Sequence, residues 1–220
     1  MKLAQFPCVL VFAALLNACG TGPVPPDWQA NVQGATERAV EAYLTGHTRI
    51  EESEFARART DIARTGRATL IARVELVRCA TRVASLVAED CAAFDVIAAD
   101  TGPSERAYAD YLAGRLRVQD ASLLPSQHQG VVAGGGRAVQ AIADPLSRIV
   151  AAGVLFRMGL ADPSVIELAI DTASARGWSR PLLAWLYVQV KRAESAGDAS
   201  EAARVRRRID LILQTPPRSL

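Results

Sequence analysis

Three places in this 220-residue chain combine residue types that could do chemistry. In "EESEF", residues 51–55, Glu52 precedes Ser53. A single glutamate can act as general acid and base when an apolar cleft raises its pKa. The surroundings favour another role. Glu51, Glu52 and Glu54 crowd what reads as the first turn of a helix, where the helix dipole favours negative charge. Thr48-Arg49-Ile50-Glu51 also matches a capping box. "VVAGGGR", residues 131–137, is glycine-rich enough to suggest a phosphate cradle. A Gly-x4-Gly-Lys-Ser/Thr loop, however, needs a lysine and a hydroxyl that this stretch lacks, so a flexible linker over 131–143 is expected. His47 and His128 fall in loop or helix-edge contexts, with no Ser or Cys nucleophile motif beside either, and both are expected to be solvated. Two cysteines and two distant histidines form no ligand cluster, so neither a metal nor a cofactor is expected.

Two further sets of side chains could meet a partner. Arg204, Arg206, Arg207 and Arg208 could attract anionic phospholipid or an acidic protein, or simply solvate one face of a helix. Trp178 and Trp185 bracket a helix start, where they either rim a groove or fill the core.

The elements that would position these residues are helices throughout, since apolar residues recur at helical spacing and no convincing strand is found. The first helix is expected from Asp27 as N-cap to Gly46, with Trp28, Val32, Ala39, Tyr43 and Leu44 inward. A second runs from Thr48 to Thr65-Gly66 and a third from 68 to 87, the latter with an apolar stripe wide enough for a central position. Short helices follow near 91–100 and 104–114, separated by Thr101-Gly102-Pro103. In the second half, Asp144-Pro145 and Asp162-Pro163 each read as an N-cap followed by proline at the first helical position. With Ser179 and Gly197-Asp198, they set helix starts near 145, 163, 181 and 199, a spacing of 18 residues. Two helices per 36 residues is close to the 34-residue period of tetratricopeptide repeats. With a turn at Gly46, Phe55 and Ala58 fall on the large and small packing positions of that repeat, and Ala202 falls on the small one after Gly197. The chain thus resembles a degenerate tetratricopeptide-like array. The expected fold is all-α, with antiparallel helical hairpins stacked as a short α-solenoid; an irregular helical bundle is the alternative. The last helix, with Ala202, Val205, Ile209 and Ile212 on one narrow stripe, suits a terminal cap.

The N-terminus carries an address. Lys2 precedes "VLVFAALL", residues 9–16, an apolar run far short of the roughly 20 residues that span a bilayer. Leu16-Asn17-Ala18-Cys19 follows and resembles the lipobox of bacterial lipoproteins. That resemblance implies removal of residues 1–18, diacylglyceryl transfer to Cys19 Sγ and acylation of the freed amine. Two or more acyl chains anchor stably where one does not. Gly20 in place of Asp implies the periplasmic face of the outer membrane rather than retention at the inner one. "GTGPVPP", residues 20–26, then forms a stiff tether of roughly 20 Å at about 3.1 Å per residue. The organisation expected is signal peptide 1–18, lipidated Cys19 with its tether to 26, a helical half over 27–130, the linker, and a second helical half over 144–215.

With Cys8 removed and Cys19 lipidated, Cys79 and Cys91 remain as a pair for an oxidising compartment. A continuous helix to Glu89-Asp90 would hold them about 12 Å apart. A bridge needs Cα atoms nearer than about 7 Å, and therefore a turn close to Ser85.

Lys2 is the one charged residue ahead of Cys19, so residues 19–220 carry 24 Lys+Arg against 23 Asp+Glu. That balance gives no reason to expect nucleic acid. The anchor and repeat together resemble helical-repeat lipoproteins that assist envelope assembly, which implies a non-enzymatic scaffold with a periplasmic protein or peptide partner. Glu52-Ser53 alone resembles the Glu-Ser pair of lytic transglycosylases, without their downstream Gly/Met/Gln signature; a cell-wall glycan-acting enzyme with Glu52 as its acid is the alternative. A helical bundle binding a small ligand between its halves is the third.

Overall fold

The structure, a computed structural model, describes residues 26–214; the expected signal peptide, Cys19, most of the expected tether and residues 215–220 lie outside the described part. Every regular element among the described residues is helical. The first hairpin pairs α1 (Asp27–Leu44) with α2 (Thr48–Ala63) across a turn at Gly46. Asp27 is the first helical residue rather than the N-cap, which is Pro26. Ala35, Ala39 and Ala42 form a stripe of small buried residues that lets α2 come close with Phe55, Ala58 and Ile62.

The next helix, α3 (Ala68–Ala84), is the central one. It stops three residues short of the expected end. Ser85 follows, Leu86 takes a left-handed conformation (φ 57°), and the Val87 N–H reaches back to the Arg82 carbonyl. This is the turn near Ser85 that a bridge requires. Cys91 returns to Cys79 with a Cα–Cα separation of 5.4 Å, and the two are joined as a disulfide. The short α4 (Ala92–Asp95) and a 3-10 turn at Ala98–Asp100 lead to α5 (Pro103–Leu112), with Pro103 at its first position. Two further 3-10 turns, Val118–Leu123 and Ser126–His128, fold back against α5 and the second half of the chain.

The expected linker over 131–143 is instead a kinked helix, α6 (Val131–Ala141). The glycines hid an apolar face: Val131 and Val139 are fully buried. Gly135 (φ 55°, ψ −139°) makes the kink, and a Cβ on Gly136 would lie 3.0 Å from Val165 Cγ2. Glycine here permits close approach rather than flexibility.

The last four helices are α7 (Pro145–Arg157), α8 (Pro163–Arg176), α9 (Ser179–Ser195) and α10 (Ala199–Leu213). Their starts keep the 18-residue spacing to within two residues, and each packs on the next across a short turn. Asp144, Asp162 and Asp198 cap as their positions predict, accepting from Ser147, from Ser164 and Val165, and from Glu201 backbone N–H groups. The Ser164 hydroxyl and the Val165 amide hold the Asp162 carboxyl below the usual carboxylate range. Ser179 opens α9 without capping it; its hydroxyl reaches the Thr45 carbonyl of the first hairpin instead.

The two halves share one core. A single apolar cluster runs from Tyr43 to Ile209 and includes residues of α3 and of every helix from α6 to α10. In α7, Ile149 to Leu155 are all buried, so this middle stretch of the helix is enclosed on every side. Its closest neighbour is α3: a Cβ built on Gly153 would stand 2.3 Å from the Val83 carbonyl oxygen. The fold is all-α, and its packing fits either a helical bundle or a solenoid.

Gly153→Ala forces α3 and α7 apart along backbone, which cannot yield as a side-chain tip can. Overpacking of this kind costs about 1–3 kcal/mol. Urea unfolding should place the variant at or above the top of that range, with an unchanged m-value. A midpoint equal to that of the parent chain would show that the two helices do not cross there.

Candidate functional site

Glu51 departs from its expected role. Its carboxylate does not close a capping box; Glu51 is 1% exposed and turned inward between Arg82 Nη2 at 2.6 Å and Arg78 Nε at 3.5 Å. It falls in register with Phe55, Ala58 and Ile62, the apolar face of α2, and that spacing was a visible signal of burial. Arg82 also lies 4.1 Å over the Tyr43 ring, and Arg180 of α9 lies 4.2 Å over the same ring. One turn back on α3, the buried Glu75 pairs through Oε1 with Arg59 of α2. Arg73 and Glu105 join α3 to α5 at 2.9 Å. The result is a layer of paired carboxylates and guanidiniums along α3.

Two recesses open beside this layer. One, of about 300 Å³, is polar and lies at the disulfide, lined by Glu75, Arg78, Glu89, Asp90, Phe94 and the Cys79–Cys91 bridge. The other, of about 390 Å³, is apolar; Leu76, Val77, Tyr108, Leu124 and Pro125 line it, and the Arg73–Glu105 pair sits at its edge.

Behind the apolar recess lies a cluster that the sequence reading missed. His128 is 1% exposed, not solvated. Its Nδ1 is 3.1 Å from the Tyr111 hydroxyl, and its ring lies 5.7 Å from that of Tyr108. The cause is tertiary: the 3-10 turns carry His128 under α5, and no local pattern announces that. Burial pushes the His128 imidazole down from 6.5 to about 4, partly opposed by the Asp144 carboxylate. Burial also raises the phenols of Tyr108 and Tyr111.

The remaining candidates scatter. Glu52 and Ser53 are exposed on α2, whereas an acid role requires an apolar cleft. Trp178 and Trp185 rim no groove. Both are buried: Trp178 Nε1 donates to Glu41 Oε2 at 3.0 Å, and Trp185 Nε1 donates to the Ala84 carbonyl at 3.0 Å, satisfying an orphan acceptor at the end of α3. The first hairpin covers Trp178, while the end of α3 and Phe156 of α7 meet Trp185. On α10, Arg204 pairs with Glu201, Arg206 with Glu194, and Arg208 donates to Ser174 Oγ, while Arg207 is exposed. His47 is half-buried, with Nδ1 3.1 Å from Thr45 Oγ1. Residues 134–138 border an open recess at the start of α8, where Asp162 already caps the helix. Among the described residues there is no cluster able to hold a metal ion and no helix long and apolar enough to cross a membrane. Cys19 lies outside the described residues.

No protein-family model matches this chain, and no curated protein or solved structure matches it either.

The two buried sites make separate predictions. Removing Glu51 leaves Arg78 and Arg82 without their shared counter-charge, so Glu51→Gln should cost about 3–5 kcal/mol. Glu52→Gln, one residue along and exposed, should stay within about 0.5 kcal/mol. Chemical denaturation of the pair distinguishes a buried charge from a solvated first turn; equal midpoints would contradict it.

His128 makes the fold acid-sensitive. In the unfolded chain it binds a proton near pH 6.5, in the folded chain only near 4, so stability is full above 6.5 and declines as pH falls toward 4. The difference corresponds to about 3 kcal/mol. His128→Gln should flatten the stability slope between those pH values relative to the parent. An unchanged slope would mean the imidazole is not held neutral by burial.

Proposed function

We propose that this chain is a lipid-anchored envelope protein whose helical body binds a protein or peptide partner on the periplasmic side of the outer membrane. The observation that carries the reading is the Cys79–Cys91 pair at bridging distance, in a chain whose N-terminus resembles a lipobox. A bridged pair belongs to an oxidising compartment. Cys19, once lipidated, would hold the body within roughly 20 Å of a membrane surface. Two recesses on a braced helical body supply concave surfaces of the kind that binding proteins use. In this reading Glu52 is solvated helix-start charge, and the α10 arginines serve the surface of the last helix.

The apolar recess beside Tyr108 favours a second reading, a small apolar ligand held between α3, α5 and the 3-10 turns. Ligand-dependent protection of Leu124 and Tyr108 amides in hydrogen exchange would favour it over a protein partner.

Cys19→Ala should move the chain from the membrane to the soluble fraction of a cell extract. The same chain labelled with palmitate should lose its label. In vivo photo-crosslinking from residues that line the two recesses should then capture a discrete protein partner in the anchored form. Membrane attachment that survives Cys19→Ala would overturn the anchor; intact attachment with no crosslink from either recess would overturn the scaffold.

A further inference from the structure

The polar cleft at the disulfide has the chemistry to select its occupant. Glu75 is 4% exposed, and only one of its oxygens is taken, by Arg59. Its Oε2 is buried and has no hydrogen-bond partner among the described residues. A buried carboxylate oxygen left in that state is costly, and a donor arriving in the cleft relieves the cost. Glu89 and Asp90 stand exposed beside it, so the lining carries three carboxylates.

The cations nearby are paired or hydrogen-bonded, except that Arg78 Nε is buried without a hydrogen-bond partner among the described residues. Arg78, the one guanidinium in the lining, lies with Nε 3.5 Å from Glu51 Oε1. Arg82 spans Glu51 and Glu89, the latter at 3.4 Å. Arg157 donates to the Val87 and Glu89 carbonyls and lines a separate small recess with Asp90 and Cys91. Asp90 thus faces a guanidinium without a direct ion pair to it. Ala92, Ala93 and the buried Phe94 add an apolar wall. The Cys79–Cys91 bridge fixes the loop that carries Glu89 and Asp90 against α3, so the geometry is set before anything binds.

We infer that this cleft takes a basic side chain, lysine or arginine, of the partner, its methylenes along Ala92, Ala93 and Phe94 and its charged head at Glu75 Oε2. The inference rests on the binding role proposed above and specifies its chemistry. An acidic or phosphorylated partner segment would find Arg78, already beside Glu51, as the one guanidinium in the lining, and would meet three carboxylates, of which Glu75 is paired with Arg59 and Glu89 with Arg82 while Asp90 has no direct ion pair.

The test uses the mature chain with its disulfide intact, titrated in solution NMR with acetyl-Gly-Arg-Gly-amide, acetyl-Gly-Lys-Gly-amide and acetyl-Gly-Glu-Gly-amide. The arginine and lysine peptides should shift the Ala92, Ala93 and Phe94 amides, and the glutamate peptide should not. Glu75→Gln should abolish the shifts. If that variant fails to fold, Glu89→Gln with Asp90→Asn carries the test, since both residues are exposed. Loss of each rim charge should weaken binding about two- to fivefold, and raising the salt should weaken the parent to a similar degree. Absence of shifts with both basic peptides, equal shifts with the glutamate peptide, or shifts indifferent to the rim variants would overturn the inference. A crosslinked partner captured only from the apolar recess would also overturn it while leaving the scaffold intact. Basic-peptide binding in the cleft without any captured partner would uphold the cleft's chemistry and count against the scaffold.

Discussion

A glycine and a carbonyl set the distance on which the rest of this molecule is built. At Gly153 the enclosed helix α7 lies against the Val83 carbonyl of α3, so close that a methyl group has no room. Because α7 is buried on every side from Ile149 to Leu155, its neighbours inherit that separation. The Val83 carbonyl also accepts the Leu86 N–H, within the turn that ends α3. The helix crossing and the start of the disulfide loop therefore share an atom. Moving one moves the other, and with it the polar cleft.

The paired charges along α3 are a different kind of constraint. Burying Glu51 and Glu75 removes them from water, and their pairing only offsets that cost. Hydrophobic side chains of similar size could hold α2 to α3 as firmly. What the charges add is direction: Glu51 finds counter-charge only where Arg78 and Arg82 can reach it, and Arg82 must also find the Tyr43 face. Alanine stripes such as Ala35, Ala39 and Ala42 tolerate sliding by a turn, and the ionic layer removes that freedom. It also places Glu75 with one oxygen committed and one available.

Local signals in the sequence carried much of the architecture. The Asp-Pro pairs at 144 and 162 and the cap at Asp198 are short-range chemistry, and they set the helix starts where the spacing put them. The turn near Ser85 was legible as a condition of pairing Cys79 with Cys91. What failed was whatever depended on distant neighbours. "VVAGGGR" read as a linker because glycine was weighed without the valines around it and without Val165, which Gly136 must approach. His128 read as solvated because nothing local reveals that Tyr108 and Tyr111 will cover it. The tryptophans offered two readings, and the outcome hung on Glu41 and Ala84, remote in the chain. Glu51 is the instructive case: a capping box with Thr48 and a buried register with Phe55, Ala58 and Ile62 both fitted it, and the register prevailed because α3 supplies two guanidiniums.

The start of α9 makes a set of contacts with the first hairpin that reaches beyond local stability. Trp178 meets Glu41, Ser179 meets Thr45, and Arg180 meets both Thr48 and the Tyr43 ring. A repeat array open at both ends can gain or lose units, because each unit knows only its neighbours. Here the last helix but one of the described chain is fastened to the first turn of the body. An added or deleted pair of helices between them would carry Trp178 away from Glu41. The length of chain between Glu41 and Trp178 is therefore held by a contact between distant elements, not only by neighbour packing on neighbour.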